Sequence, residues 1–364
     1  MSHHSTDAMV YVGTYTQVMP HVHGKAEGIY ICRLDGATGA LERLDAAPGV
    51  VNPSFLTVSA DGRFLYAVQE VEQYDDHPGG AVSAFAIDAR THALVPINHQ
   101  HTHGAHPCYV SIDLSGRWLL VANYSGPTVS VLPIGADGAL GPAATVVRHH
   151  GASPHHGGPH PHAIVPAPGG RFVLVPDCGL NRVFVYRLDR LRGELAESEA
   201  PLAELPPASG PRHVAFHPGG SYVYSVNEQG SSVTAFAYDA ERGGLRALQT
   251  LPAVPEGVTA HTSGADIHVH PSGRFVYCSI RGHDSIAAFA VDVASGTLRP
   301  LGHTPTGGRT PRNFAIDPRG AFLLAANQDS DTVVTFRIDQ DTGALEETGQ
   351  VAHIPSPVCL YVVE

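Results

Sequence analysis

FAIDPRGAFLLAANQDSDTVVTFRIDQDTGALEET, residues 314–348, holds one complete structural unit. In Phe314–Asn327 apolar residues alternate with others, stop at Asp-Pro-Arg-Gly, and alternate again. Asp331–Thr348 repeats the pattern around a second glycine turn. Period-two alternation marks strands, and glycine between two such runs marks a hairpin. Four consecutive antiparallel strands, A to D, follow from this stretch alone.

The unit recurs along the chain. The second hairpin returns as GIYICRLDGATGALERL from Gly28, SSVTAFAYDAERGGLRAL from Ser231 and four further versions, making seven copies. The first hairpin precedes six of them, with turn glycines at 62, 116, 170, 220, 273 and 320, spaced 54, 54, 50, 53 and 47 apart. A four-stranded repeat of about 50 residues is a propeller blade. The first copy begins at VYVGTYT (Val10–Thr16), which matches strand B, and lacks strand A. PVCLYVV, from Pro357, supplies it. The expectation is an all-β, seven-bladed propeller of four antiparallel strands per blade. Its C-terminal strand closes the ring and removes the open edges. Residues 1–364 form a single domain, with residues 1–9 a disordered tail.

Composition agrees. Of 364 residues, 39 are glycine, 29 proline and only 15% charged, which suits short strands and tight turns. No apolar run is long enough to span a bilayer, and MSHHSTDAM lacks the pattern of a secretory signal. The expected location is therefore cytoplasmic, with no membrane partner. The five cysteines (32, 108, 178, 278, 359) are scattered, odd in number and without a CxxC pair, so buried reduced thiols are expected. A net charge of −12 without a basic run argues against a nucleic-acid partner. The sequence assigns no oligomeric state.

Strands A line a propeller's axis, and the start of A and the end of B reach the same face. Eight residues before each turn glycine lie Ser54, Cys108, His162, Arg212, Ala265 and Arg312. Eight after lie Glu70, Tyr124, Cys178, Glu228, Arg281 and Gln328, and seven after lie Gln69, Asn123, Asp177, Asn227, Ile280 and Asn327. One pole of the ring thus gathers three arginines, whose mutual repulsion calls for an anion beyond the one charge of Glu228. A small anionic ligand held by planar guanidinium forks would supply it. The histidine-rich HHGASPHHGGPHPH, from His149 to His162, puts only His162 in an inward column. His149 to His156 are expected to be dispensable surface-loop residues, and no metal site is expected.

The chain resembles the seven-bladed propeller lactonases of 6-phosphogluconolactonase type. The resemblance rests on VYVGTYT, GPHPHAIVPAPGGRFVLVPDCGLNRVFVY, PRHVAFHPGGSYVYSVNE, RGHDSIAAF and PRNFAIDPRGAFLLAAN, and covers essentially the whole chain. A related fungal carboxymuconate cyclase has a pocket of one histidine, two arginines and one glutamate. Matched by motif, these fall on His162, Arg212, Glu228 and Arg281. The resemblance implies a lactone enzyme with a central pocket and no cofactor or metal. Cys178 and Asn181 depart from the family's usual leucine and aspartate, which bears on substrate rather than fold.

Opening a δ-lactone requires an activated water and stabilisation of an oxyanion. His162 would act as base or proton shuttle, with Glu228 orienting it or taking the proton itself. Arg212 and Arg281 would hold the lactone carbonyl and the sugar-acid anion. Arg312 and Asn327 would bind phosphate, with His160, Asn123 and Asp177 completing the substrate site. The leading expectation is hydrolysis of 6-phosphoglucono-δ-lactone. Two alternatives are a carboxymuconate-type lactonising cycloisomerase, which would use the same arginines, and a non-catalytic scaffold, which would put its chemistry on rim loops.

Overall fold

The computed structural model describes residues 7–152, 157–200 and 203–363. Seven sheets stand around one axis, each with strands A to D in order from centre to rim. Strand A of blade 1 is Pro357–Val363, and it pairs antiparallel with strand B, Ala8–Thr14, from Met9↔Val363 to Thr14↔Pro357. The same A strand packs on the A strands of blades 7 and 2, Pro311–Ile316 and Leu56–Val58. The last strand of the chain therefore closes the ring, as the missing repeat requires. Ala8 and Met9 belong to this sheet rather than to a tail, because they pair with Leu34 and Arg33. Residues 1–6 lie outside the described residues.

The core lies between blades. Inward and outward faces of each strand B are both buried, as in Phe64–Gln69 and Phe322–Asn327, so these strands are almost continuously apolar. The C–D turn of one blade seats on the aromatic residue that starts strand B of the blade before it. Gly138 (φ +81°) of blade 3 lies so close to Phe64 of blade 2 that a Cβ would fall 2.2 Å from the ring. Gly193 meets Trp118 in the same way at 2.4 Å. Only glycine combines the left-handed backbone with that approach. Blade 2 is the exception: His92 (φ 59°) stands at the turn, and its carbonyl accepts from Tyr11 Oη at 3.2 Å.

Below the upper face, side chains fill the axis. Phe55 stacks on Tyr109 at 4.1 Å between ring centroids, and His213 meets both edge-on. This layer forms the floor of the site. All five cysteines are free and buried.

Candidate active site

The upper pole carries a cavity of about 370 Å³. Its walls come from the ends of strands A and B: Glu70 from blade 2, Cys108 and Tyr124 from blade 3, His162 from blade 4, Glu228 from blade 5, Arg281 from blade 6 and Arg312 from blade 7. Met19, Pro20 and His21, from a hairpin that blade 1 inserts between strands B and C, form the rim with His106 and Ser125. Parallel strand ends around an axis bring together residues far apart in sequence, and the column reading anticipates this.

The two carboxylates have different surroundings. Glu228 Oε1 accepts from Arg281 Nη2 at 2.7 Å, and Arg212 Nε lies 3.7 Å from Oε2. Burial would raise its pKa, but the charges of Arg281 and then Arg212 outweigh it and hold the carboxyl at about 2. Glu70 Oε2 instead accepts from two hydroxyls, Tyr15 Oη at 2.9 Å and Ser54 Oγ. The three arginines thus face two carboxylates, leaving one net positive charge.

The arginines also divide. Arg212 is buried beneath the cavity, donates Nη1 to the carbonyl of Ala265, and faces His213 Nε2 at 3.2 Å. Asp266 Oδ1 takes His213 Nδ1–H at 2.7 Å, which leaves Nε2 to accept from the guanidinium. Burial, and then the charge of Arg212, push His213 down to about 4, so it stays neutral. Arg212 itself falls to about 10 through burial and repulsion by Arg312 and Arg281. Arg281 is tied to Glu228 and to the carbonyl of Gly264 at 2.9 Å. Arg312 lies over the Tyr15 ring at 5.6 Å and, among the described residues, makes no hydrogen bond or ion pair. Burial works against its charge, but Tyr15, Glu70 and Glu228 more than offset this and raise its pKa.

His162 lines the cavity with Nδ1 3.6 Å from Cys108 Sγ. Burial, followed by the charge of Arg212, drives its pKa well below the usual value. The ring is neutral near pH 7 and binds a proton weakly.

Several expected site residues serve the scaffold instead. Asn123 Nδ2 donates to the carbonyl of Thr102 at 3.1 Å and to Thr128 Oγ1 at 3.0 Å, and Asn327 Nδ2 donates to the carbonyl of Thr306 at 3.1 Å. Each amide ties its blade to the end of the preceding one. Asp177 Oδ1 accepts backbone N–H groups of His160, Gly179 and Leu180, and Oδ2 accepts from His149 Nδ1 at 2.7 Å. His160 stacks on Tyr124 at 4.4 Å and is not part of the cavity wall. Arg212 belongs to the floor rather than the wall. His149 is not a surface residue: it is 3% exposed and bridges Asp177 to Tyr186 Oη, 3.0 Å from Nε2. His150 is exposed, and His155 and His156 lie outside the described residues. Glu70, Tyr124, Cys108, His21 and His106 were not expected in the site. The first three stand in the inward columns, so the columns could have found them. The rim histidines come from insertions outside the repeat and carry no such signal. Among the described residues no group of three or more His, Cys, Asp or Glu side chains could hold a metal ion.

The family described as "Lactonase, 7-bladed beta-propeller" matches residues 9–362. The chain belongs to the seven-bladed β-propeller lactonases. Among curated members, the 6-phosphogluconolactonase of Bacillus subtilis is 36% identical over 309 residues, covering 84% of each chain. The 6-phosphogluconolactonase of Formosa agariphila is 33% identical over 85% of this chain and 86% of its own. The solved structure of a periplasmic gluconolactonase from Pseudomonas aeruginosa superimposes with a TM-score of 0.91 at 36% identity, covering 98% of this chain and 99% of that one. Within this lactonase fold the axial pocket has the polar walls and fixed cations that lactone opening needs.

Proposed function

We propose that this lactonase hydrolyses the δ-lactone of a sugar acid, with 6-phosphoglucono-δ-lactone as its first substrate. Arg312 carries the reading. Its guanidinium makes no hydrogen bond or ion pair among the described residues, in a cavity whose other arginines are tied to protein acceptors. Its charge is held by the nearby Glu70 and Glu228 while its N–H donors stay unused, and an anionic ligand would take those donors in charge-assisted bonds. The names of the relatives supply the ligand class: lactones of gluconate, phosphorylated or not.

In this reading the phosphate engages Arg312, and the lactone carbonyl points toward Arg281. Glu228 fixes that guanidinium so that its donors need no reorganisation as the oxyanion forms. His162, neutral and lining the cavity, orients water or the ring oxygen as a hydrogen-bond partner rather than as a strong base. The buried reduced thiols are compatible with a cytoplasmic site of action, which cell fractionation would test. The function is tested by product release from 6-phosphoglucono-δ-lactone, glucono-δ-lactone and carboxymuconate, each with and without chelator. Chelator-insensitive turnover of the sugar lactones supports the reading, and turnover of carboxymuconate alone would replace it with the cycloisomerase.

A further inference from the structure

We propose that Glu70 is the general base of the axial site, the group that removes a proton from the attacking water. The inference rests on the lactonase reading above and adds the residue that reading lacks. A water-activating base must be ionised, must keep an oxygen free for the proton, and must retain basicity. Glu228 fails the last two requirements. One of its oxygens is bonded to Arg281, the other faces Arg212 and Cys178 Sγ, and its proton affinity is spent on those cations. His162 has Nδ1 turned to Cys108 Sγ, and burial followed by the charge of Arg212 lowers its basicity well below that of a free imidazole. Cys108 is buried, and burial raises its thiol well above the ionising range.

Glu70 has the geometry that Glu228 lacks, a carboxyl oxygen left free at the cavity wall. Among the described residues only Oε2 is hydrogen-bonded, and its donors are the neutral hydroxyls of Tyr15 and Ser54. Among the described residues Oε1 makes no hydrogen bond, and the residue forms part of the cavity wall. The mounting is rigid. Glu70 N–H donates to the carbonyl of Asn52 at 3.1 Å, and Asn52 Nδ2 returns a bond to the Glu70 carbonyl at 3.2 Å. Asn52 holds this place in a left-handed backbone (φ 45°) while its Oδ1 accepts from Thr16 and Gln17. The groups facing Glu70 are Tyr15, Ser54, Cys108, His21 and Arg312. His21 Nε2 lies 3.3 Å from Tyr15 Oη, so Tyr15 can donate to Glu70 and accept from the rim histidine at once.

The step balances without any co-reactant. Water oxygen bonds to the lactone carbonyl carbon as one of its protons passes to Glu70 Oε1. The carbonyl π pair becomes the oxyanion. As that pair returns, the bond from the carbonyl carbon to the ring oxygen breaks, and the ring oxygen takes the proton back from Glu70. The carboxylic acid released ionises in solvent, and Glu70 is again a carboxylate.

The test is Glu70→Gln, which keeps an acceptor for Tyr15 and Ser54 but cannot take a proton. Turnover of both sugar lactones is measured beside binding of the open-chain aldonates by calorimetry. General-base loss lowers kcat by about 10²- to 10⁴-fold with aldonate affinity nearly unchanged. Glu70→Ala gives a second arm: added formate refills the space and restores turnover in a saturable way, whereas chloride does not. Should Glu70→Gln not fold, this arm decides. Wild-type kcat in folded Glu70→Gln, a loss of aldonate affinity equal to the loss of kcat, or no rescue by formate would each overturn the assignment. A wild-type enzyme inactive on every sugar lactone would instead overturn the lactonase reading itself, and the base with it.

Discussion

Replacing Glu228 by glutamine tests how the pocket is held together. The carboxyl is held at about 2 against an ordinary 4.5, and its side chain is 25% exposed. That depression corresponds to at most about 3 kcal/mol of preference for the ionised form, reduced by whatever screening solvent adds. A group whose folded pKa is depressed stabilises the protein fully above its unfolded pKa and loses that contribution as pH falls toward the folded value. The relevant window here runs from about 4.5 down to 2. Between pH 7 and pH 3.5 the Glu228 contribution shrinks by about 1.4 kcal/mol. At pH 7 the glutamine variant also leaves Arg281 and Arg212 without their counter-charge, so its total loss reaches about 3–5 kcal/mol. Urea unfolding of both proteins, followed by fluorescence of the single tryptophan, Trp118, gives the difference at each pH. Every other titrating group is common to both and cancels. The gap is expected to narrow toward acid. A gap that is constant, or that widens below pH 4.5, would refute the claim that Glu228 is an ion-paired carboxylate.

Gly138→Ala forces a Cβ into the Phe64 ring and a left-handed backbone on alanine. It should cost about 2–3 kcal/mol, read as a lower urea midpoint with no change in KM. His149→Ala leaves Asp177 and Tyr186 with unmet hydrogen bonds in the interior. A loss of about 2–4 kcal/mol is expected. His150→Ser, at an exposed position, should change thermal stability by no more than about 0.5 kcal/mol. Equal effects of the two histidine substitutions would show that the His149 bridge contributes nothing.

Repeat counting made the fold legible because each blade buries both faces of strand B and turns at glycine. Seven blades, the closing strand at Pro357–Val363 and the polar ring at one pole all follow from that periodicity. The same counting put Asn123, Asn327 and Asp177 in the site, because it locates a residue's level along the axis but not the direction of its side chain. One position in strand B separates Asn123 from Tyr124, and the pleat turns one into the blade and the other toward the cavity. His149 was misread because its loop is polar, whereas its burial depends on Tyr186 and Asp177 from the neighbouring strands. Glu70 stood in the right column, yet nothing local distinguished it. Its distinction lies in Tyr15 of blade 1 and Ser54 of its own blade, which reach it only when the two blades pack together.

The central claim is an axial anion site built around the unpaired Arg312. It is tested most directly by kcat/KM of the wild type and Arg312→Gln on 6-phosphoglucono-δ-lactone and glucono-δ-lactone, measured under one set of conditions. Losing charge-assisted bonds to the phosphate costs roughly 1.5–3 kcal/mol, or about ten- to a hundredfold. That fall is expected with the phosphorylated lactone, and glucono-δ-lactone should change little. Identical kinetics for wild type and variant on both lactones would contradict the assignment of this pocket as the active site.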